Sequence, residues 1–477
     1  MAEAVQRPYT LPNLPFAAAI NKVIYSNLFP FLVALVTLAA HVLALDLYAY
    51  MLVGALMLYV AVFGKDYSPV LALAIFCYIL PSRLNNPGMY EGSVFFMKNG
   101  GLAIVIAGFI VLAAAIVRFS LDGEIGFRRM FRTKRALLWG MLALGAAYLL
   151  AGVGSKGYAA LAGKNLGFGL IQFVAVFFCY FVLGFAVKWK EIDKRYFAYV
   201  GLLVGLTVGL ELLNLYRTGV VFDSGELVRD FMYVGWGINN NMGVLIVMAV
   251  PFAFYFVFLG EHPVVYNILA VALCGLAVLS ASRGAILGAA FIYIVCVAIV
   301  VWKGKSKFAS RFSLACLLAL LVAGIAVGFI SDTLQEVTFR FGFTSDSRIK
   351  LYECGLRVFG EAPIFGDGFF RLNEYFWDYA IWNKVDAFAD SFPERWHNTW
   401  VQMLACCGVV GLVAYAWHRY QTLELVLKKP NVEKTFIALS MAMLLLLSLI
   451  DCHFFNVGPT LFYSCALAFA EYKDPTQ

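Results

Sequence analysis

Residues 269–302 read LAVALCGLAVLSASRGAILGAAFIYIVCVAIVVW, two long apolar runs separated by a single Ser-Arg-Gly turn. An α-helix of about 20 residues spans a hydrocarbon core of about 30 Å. A strand of a membrane β-barrel would instead be a shorter segment of alternating apolar and polar residues. The stretch therefore predicts two consecutive transmembrane helices, with Arg283 at the point where the chain turns back.

Apolar runs of this kind recur along the whole chain. Hydrophobic residues make up 62% of the 477, charged residues make up 14%, and the mean hydropathy is +0.82. A soluble protein averages about 45–50% apolar and about 25% charged residues. The predicted fold class is an all-α polytopic membrane protein with 12–14 transmembrane helices. The candidate runs, of which the third and the last two are short, are 27–45, 47–64, 68–80, 101–117, 136–153, 166–187, 196–216, 242–259, 264–279, 284–302, 312–330, 399–417, 435–450 and 458–470.

The distribution of Lys and Arg predicts the orientation of these spans, because both residues are enriched in short cytoplasmic loops. With the N-terminus inside, 22 of them fall on the cytoplasmic side and seven in the short outer loops. The stretch 331–400, the longest without a span, is then extracytoplasmic, and both termini are cytoplasmic. We expect an interfacial segment at 1–26, about 11 spans at 27–330, an extracytoplasmic catalytic loop at 331–398, and further spans and a tail at 399–477.

The composition argues against several classes of site. The net charge of +7 follows from topology, and no basic patch interleaved with aromatic residues predicts nucleic-acid binding. Neither a Walker A pattern nor a CxxC pair is present, so ATP and Cys-based zinc, redox or haem sites are not predicted. No loop carries a DxD pair, and we expect no metal and no cofactor. Eight of the ten cysteines lie in apolar runs, whereas Cys354 and Cys452 fall near the same membrane face and could form a disulfide.

Arg283 is the first candidate for a functional charge. An arginine this close to hydrocarbon is costly to place and is a functional candidate by default. The helix predicted to begin at Gly284 points its first N–H groups in the same direction, and a helix N-terminus with an arginine is a site for an anion such as phosphate. The alternative is an interfacial arginine that snorkels to the outer headgroups.

A second candidate lies in TSDSRIKLYECGLRVF, residues 344–359. The apolar spacing predicts a short amphipathic helix that begins near Ser345 or Asp346. Arg348 would lie in its first turn, where it could share a pyrophosphate with Arg283. Arg357 is a further candidate on the same helix, and ordinary solvation of the helix is the alternative for both arginines.

His397 immediately precedes a predicted span, at the outer face, in PERWHNTWVQML. Histidine is the natural general base near neutral pH, and His453 is the other outward-facing candidate. A lone interfacial histidine is, however, more often structural than catalytic. The aromatic residues before His397, among them Trp396, suit either stacking on sugar rings or an interfacial aromatic belt.

The Asn-rich segment GWGINNNMG, residues 235–243, precedes another predicted span. Asn side chains beside an apolar helix are costly unless they cap it or bind something. We expect at least one of the three to cap the helix, and Asn241 is a candidate for substrate contact.

Four stretches together resemble the O-antigen ligase and polymerase superfamily of bacterial membrane glycosyltransferases. They are, in family order, GINNNMG (237–243), SRGA (282–285), SRIKLYECGLRVFGEAPIFGDGFF (347–370) and HNTWVQMLACCGVVGLVAYA (397–416). Their order and spacing make the set more specific than any one of them. One departure is Cys406-Cys407, where many members carry an acidic residue before the glycine.

The resemblance implies a glycosyltransferase-C-like bundle with one large extracytoplasmic loop domain, in the bacterial cytoplasmic (inner) membrane. Members transfer a glycan from undecaprenyl pyrophosphate to lipid A–core, to another lipid-linked repeat or to protein. The transfer would be inverting and metal-independent. His397 would match the proposed base, and Arg283 and Arg348 the arginines that bind the pyrophosphate. Asn398, from the His-Asn pair, is a further candidate for substrate contact.

A transporter or flippase of lipid-linked saccharide is the alternative from another functional class. It would place charged residues along a path through the bundle and repeat broken helices in two related halves. The predicted spans contain few acidic residues, with Glu211 as the main exception. The sequence therefore favours the enzyme.

Overall fold

The computed structural model describes residues 9–80, 101–130, 135–156, 158–228, 231–235, 237–330, 345–370, 396–428 and 430–472. This part of the chain is almost entirely helical. The first half comprises a 3₁₀ turn (Leu11–Asn13), α1 (Pro15–Ile24), α2 (Phe29–Leu43), α3 (Asp46–Phe63), α4 (Val70–Ile79), α5 (Gly101–Leu121), α6 (Phe127–Met130), α7 (Leu138–Leu149), α8 (Tyr158–Phe173), a π-helical turn (Val174–Phe178), α9 (Cys179–Ala186) and α10 (Tyr196–Thr218).

The second half contains the candidate site. It comprises α11 (Asn239–Leu259), α12 (Pro263–Leu279), α13 (Arg283–Lys303), α14 (Lys307–Ile330), α15 (Ser345–Glu361), α16 (Thr399–Leu427), α17 (Val432–Leu447), a 3₁₀ turn (His453–Phe455) and α18 (Val457–Tyr472). Two short antiparallel hairpins lie between α10 and α11. They pair β1 (Phe222–Asp223) with β2 (Glu226–Leu227), and β3 (Tyr233–Val234) with β4 (Gly237–Ile238).

The helices confirm a polytopic all-α membrane protein. In the described part of the chain, seven helices are long and apolar enough to cross a membrane, and the pair α1 and α2, bent by 78°, makes an eighth candidate. Four shorter apolar helices accompany them. Each of the fourteen runs predicted from the sequence falls on a helix.

Helix α11 is the centre of the bundle. It is apolar around its whole circumference, as expected of a helix enclosed by others, and 89% of its most apolar window is buried. Helices α10, α12, α13 and α17 pack around it. Its N-terminal end therefore meets the loop after α17, which is where the candidate site forms.

Helix α16 is broken at Gly408, which has φ +64° and ψ −160°. The break leaves backbone N–H groups without acceptors inside the helix, and a neighbouring loop supplies carbonyl groups that accept from them. Val409 N–H donates to the Pro363 carbonyl at 2.8 Å, and Val410 N–H donates to the Ile364 carbonyl at 3.2 Å. The two halves fold toward each other closely enough for the Trp400 and Tyr415 rings to lie 4.8 Å apart.

On the other side of the break, N–H groups of the same loop donate hydrogen bonds to carbonyl groups of the helix. Asp367 N–H donates to the Ala405 carbonyl at 2.8 Å, and Gly368 N–H donates to the Cys406 carbonyl at 3.1 Å. A Cβ atom on Gly408 would lie only 2.4 Å from the Ile364 carbonyl oxygen. Gly366 and Gly408 therefore stand where the main chains of the loop and the helix are in direct contact.

The structure corrects one expectation from the sequence and answers one question that the sequence left open. The N-cap of α11 is Ile238, with no side-chain cap, so the prediction that one of the three Asn residues caps this helix is wrong. The disulfide that the sequence allowed between Cys354 and Cys452 is not formed, because all ten cysteines are free. Cys354 and Cys452 are both buried, and burial raises the pKa of the Cys354 thiol to about 12.

Candidate active site

The start of α13 lies against α17 because two glycines allow a close approach. A Cβ atom on Gly284 would be 2.7 Å from Ile450 Cδ1, and one on Gly288 would be 3.1 Å from the Met443 methyl. Small residues at this spacing are typical of tightly packed membrane helices. Arg283, the first residue of α13, is thereby brought beside the loop that follows α17.

A cavity of about 260 Å³ opens at this point. Its walls come from the starts of α11, α13 and α15 and from the end of α17 with its following loop. The lining residues are Asn240, Ser282, Arg283, Gly284, Ala285, Arg348, Leu447, Ile450, Asp451 and His453. The structure therefore brings the two arginines that the sequence singled out into one cavity.

Arg348 reaches the cavity from α15, which begins at Ser345 as predicted from the sequence. Arg348 lies in the first turn of this amphipathic helix. The helix packs on the start of α16, where the Tyr352 hydroxyl donates to the His397 carbonyl at 3.2 Å. A Cβ atom on Gly355 would be 2.5 Å from Val401. This close packing fixes Arg348 relative to His397.

Both guanidinium groups are available to an anion. Arg283 and Arg348 are exposed, and within the described residues neither has a carboxylate at ion-pair distance. The hydroxyl of Ser282, the N-cap of α13, accepts from the Ala285 N–H at 3.4 Å. The N-terminus of α13 faces the same cavity and adds its positive dipole end. The cavity can therefore bind phosphate groups by charge-assisted hydrogen bonds.

His397 stands at the edge of this arrangement. Its Nδ1 lies 3.4 Å from Asp451 Oδ1, at ion-pair distance, and its side chain is 36% exposed. It does not line the cavity itself, but Asp451 does. The backbone of His397 is left-handed, with φ +50°, a conformation that is uncommon for non-glycine residues and that concentrates at functional sites.

Asp451 is the residue that sequence reasoning missed. It is buried, its Oδ1 accepts the Cys452 N–H at 2.6 Å, and its Oδ2 accepts Asn240 Nδ2 at 2.7 Å. Burial alone would raise its pKa, but the His397 ring, the nearby His453 imidazole and the Cys452 N–H together hold the pKa of Asp451 well below its usual range. The carboxylate therefore stays ionised. A single Asp at the end of a predicted span, two residues before a His, was the available signal.

The Asn-rich start of α11 supports this carboxylate instead of capping the helix. Asn240 is the residue that holds Asp451. Asn241 is buried and accepts a hydrogen bond from Asn456. It lies behind the cavity lining, so of the three Asn side chains only Asn240 faces the cavity.

Three other predicted substrate contacts lie outside the cavity lining. Asn398 caps α16, accepting from the N–H groups of Trp400 at 2.9 Å and Val401 at 3.2 Å. It also donates to the Leu449 carbonyl at 3.0 Å, tying α16 to the loop that carries Asp451. Trp396 is 2% exposed, and its ring packs over Gly355. Arg357 lies on α15 two turns beyond Arg348.

Of the described residues, Arg283 and Arg348 are the arginine and lysine side chains that line the cavity. Among the residues that the structure describes, no three His, Cys, Asp or Glu side chains stand close enough together to hold a metal ion. A diphosphate is an anion whose charge two guanidinium groups can bind directly.

Comparison with protein families matches residues 268–416 to the family described as O-Antigen ligase. The matched segment includes Arg283, Arg348 and His397, whereas Asp451 and Asn240 lie outside it. No curated protein matches the chain in a sequence search. The match covers the last three of the four motifs that carried the resemblance. Residues 268–416 therefore carry an O-antigen ligase domain, and this match supports the resemblance to the O-antigen ligase and polymerase superfamily.

Proposed function

We propose that this protein transfers a glycan from an undecaprenyl-pyrophosphate donor to an acceptor hydroxyl, by direct inverting displacement and without a metal. The observation that carries the proposal is the cavity shared by Arg283 and Arg348, with Asp451 in its wall and His397 against Asp451. The acceptor is either lipid A–core, for a ligase, or a second lipid-linked repeat, for a polymerase.

The donor side follows from the charge of the leaving group. A diphosphate diester carries two negative charges, and one more phosphate charge develops as its bond to the sugar breaks. Two guanidinium groups and a helix N-terminus stabilise this charge where it develops. The leaving group then needs electrostatic stabilisation more than protonation, which is the chemistry that Arg283 and Arg348 supply.

The acceptor side needs a base, because a sugar hydroxyl is a poor nucleophile at neutral pH. His397 takes the hydroxyl proton as the acceptor oxygen bonds to C1 of the donor sugar and the C1–oxygen bond to phosphate breaks. Attack from the side opposite the diphosphate inverts the anomeric centre. Asp451 acts as a positioning residue, since its carboxylate orients the imidazole and stabilises the imidazolium that forms.

The remaining candidates take supporting roles in this proposal. Asn398 holds the start of α16 to the Asp451 loop, and Asn241 braces the Asn-rich start of α11. We leave Trp396 and Arg357 out of the donor site, because one is buried in packing and the other lies further along α15.

We propose that the cavity opens to the outside of the bacterial inner membrane. The excess of Lys and Arg, 22 against seven, supports cytoplasmic N- and C-termini. The predicted catalytic loop, 331–398, would then contribute Arg348 and His397 from outside. The part of this loop at 371–395, with most of the aromatic residues, lies outside the described residues.

The function is tested in proteoliposomes that contain the purified protein and a fluorescent undecaprenyl-pyrophosphate-linked repeat, with and without lipid A–core and in the presence of a chelator. A labelled lipid A–core product identifies a ligase, and a lengthened lipid-linked product identifies a polymerase. Translocation of the lipid without a new glycosidic bond would instead support a transporter. Loss of turnover in chelator, restored by Mg²⁺, would contradict metal independence.

A further inference from the structure

His453 occupies a different position from His397, although both histidines are close to Asp451. His453 begins the 3₁₀ turn after α17, is 4% exposed, and lines the cavity together with Arg283 and Arg348. His397 is not part of that lining. Asp451 thus has the His453 imidazole beside it in the cavity lining and the His397 imidazole against it outside that lining.

Among the residues that the structure describes, the fixed charges that line the cavity do not balance those of the proposed donor. Arg283 and Arg348 contribute two positive charges, and the ionised Asp451 contributes one negative charge. A bound diphosphate diester adds two more negative charges, which leaves one uncompensated. His397 cannot supply the missing positive charge, because a general base must be neutral before the transfer. An uncompensated charge in a partly buried site is costly.

We propose that His453 binds the donor diphosphate as an imidazolium, a third cationic contact beside the two arginines. The proposal rests on the proposed function, since it assigns a further residue to the same donor site. It predicts that the protein takes up a proton when the donor binds.

The groups around His453 set the direction of this effect. From α13 and α15, Arg283 and Arg348 oppose its protonation while the cavity is empty. Asp451, in the adjoining loop, favours it, and Asn240 of α11 is neutral. From α16, the Arg419 guanidinium lies 4.0 Å from the ring of Phe454, the residue after His453, and also opposes protonation. A bound diphosphate reverses this balance, so protonation and binding favour each other.

The experiment measures binding of P1-citronellyl P2-methyl diphosphate to the full-length protein in detergent. Each phosphate of this diester keeps one charge across the pH range, so a change of affinity reports on the protein. For the wild type we expect affinity to fall about tenfold between about pH 6 and about pH 8, as the imidazolium is lost. The variant His453→Gln should bind with little dependence on pH. The matched control His397→Gln, which changes the other imidazole beside Asp451, should keep the wild-type dependence.

Calorimetry of the wild type in two buffers with different ionisation enthalpies provides a second measurement, which does not depend on whether a variant folds. Proton uptake on binding near neutral pH supports the proposal. A pH dependence that persists in His453→Gln, or binding without proton uptake, overturns it while the donor site stands. If the diester fails to bind, or binds equally well to Arg283→Met, the proposed function itself is wrong and the role of His453 is wrong with it.

Discussion

The candidate site has two walls that are built in different ways. The cationic wall, Arg283 and Arg348, consists of exposed side chains at the starts of two helices. In the acid-imidazole wall, Asn240, Asp451 and His453, the aspartate and the histidine are buried, and Asn240 donates a hydrogen bond to Asp451. The first lies within the segment matched to the O-antigen ligase family and the second lies outside it. An exposed guanidinium group is solvated and needs little support, whereas a buried carboxylate must be held from several elements at once.

The largest effect should come from the proposed base, His397, which stands against the acid-imidazole wall. We expect His397→Ala to lower turnover about a thousandfold, because general base catalysis typically contributes about 10²–10⁴-fold. Binding of the diphosphate diester should remain nearly unchanged, since His397 does not line the cavity. Turnover and binding are measured on the same preparation. An equal loss of both would mean that His397 belongs to the cationic wall instead.

The cationic wall is tested by Arg283→Lys and Arg348→Lys. A lysine keeps the charge but lacks the bidentate fork of the guanidinium, so we expect about 10- to 100-fold weaker binding of the diester for each variant. Arg217→Lys is the matched control, because Arg217 is an exposed arginine bonded to Asn214 away from the cavity. A control that loses as much affinity as the two variants would remove the case for a specific site.

The acid-imidazole wall is tested by Asp451→Asn, for which we expect about tenfold lower turnover and unchanged or tighter binding of the diester. The pKa of Asp451 is held well below its usual range. Its contribution is therefore present throughout the neutral and mildly acidic range, and is lost only under strongly acidic conditions. The acidic limb of the wild-type rate profile should therefore not follow the Asp451 carboxyl group.

The ratio of turnover between the wild type and Asp451→Asn provides the sharper result. Because the pKa of Asp451 is held well below its usual range, this ratio should stay constant from about pH 5 to about pH 8. A ratio that falls toward one within this range would show that the carboxylate is not ionised there.

The smallest effect is expected where the two walls meet. Gly284→Ala adds a methyl group 2.7 Å from Ile450 Cδ1, and the flexible end of that side chain can move aside. We expect about a threefold rise in KM, because the start of α13 shifts slightly from the Asp451 loop. Gly275→Ala is the matched control on α12, where a Cβ atom meets nothing within 4 Å.

The sequence predicted the spans, the start of α15 and the position of Arg348 in its first turn, because periodicity and helix-start signals are local. The pairing of Asn240 with Asp451 could not be predicted in this way, since 211 residues separate them. The capping prediction for the Asn run failed for a related reason. The side chains of Asn240 and Asn241 find partners from distant parts of the chain, and Ile238 takes the cap position.

The broken helix α16 has a consequence for how this fold can vary. The loop at 363–368 forms main-chain hydrogen bonds with residues on both sides of the break. These bonds join the helix that carries Arg348 and the helix that begins beside His397 into one rigid unit. They do so through the main chain, so the connection does not depend on particular side chains. Exposed side chains of both helices can therefore be substituted while the distance between Arg348 and His397 is preserved. A residue other than glycine at 408 would disturb that spacing without touching either group.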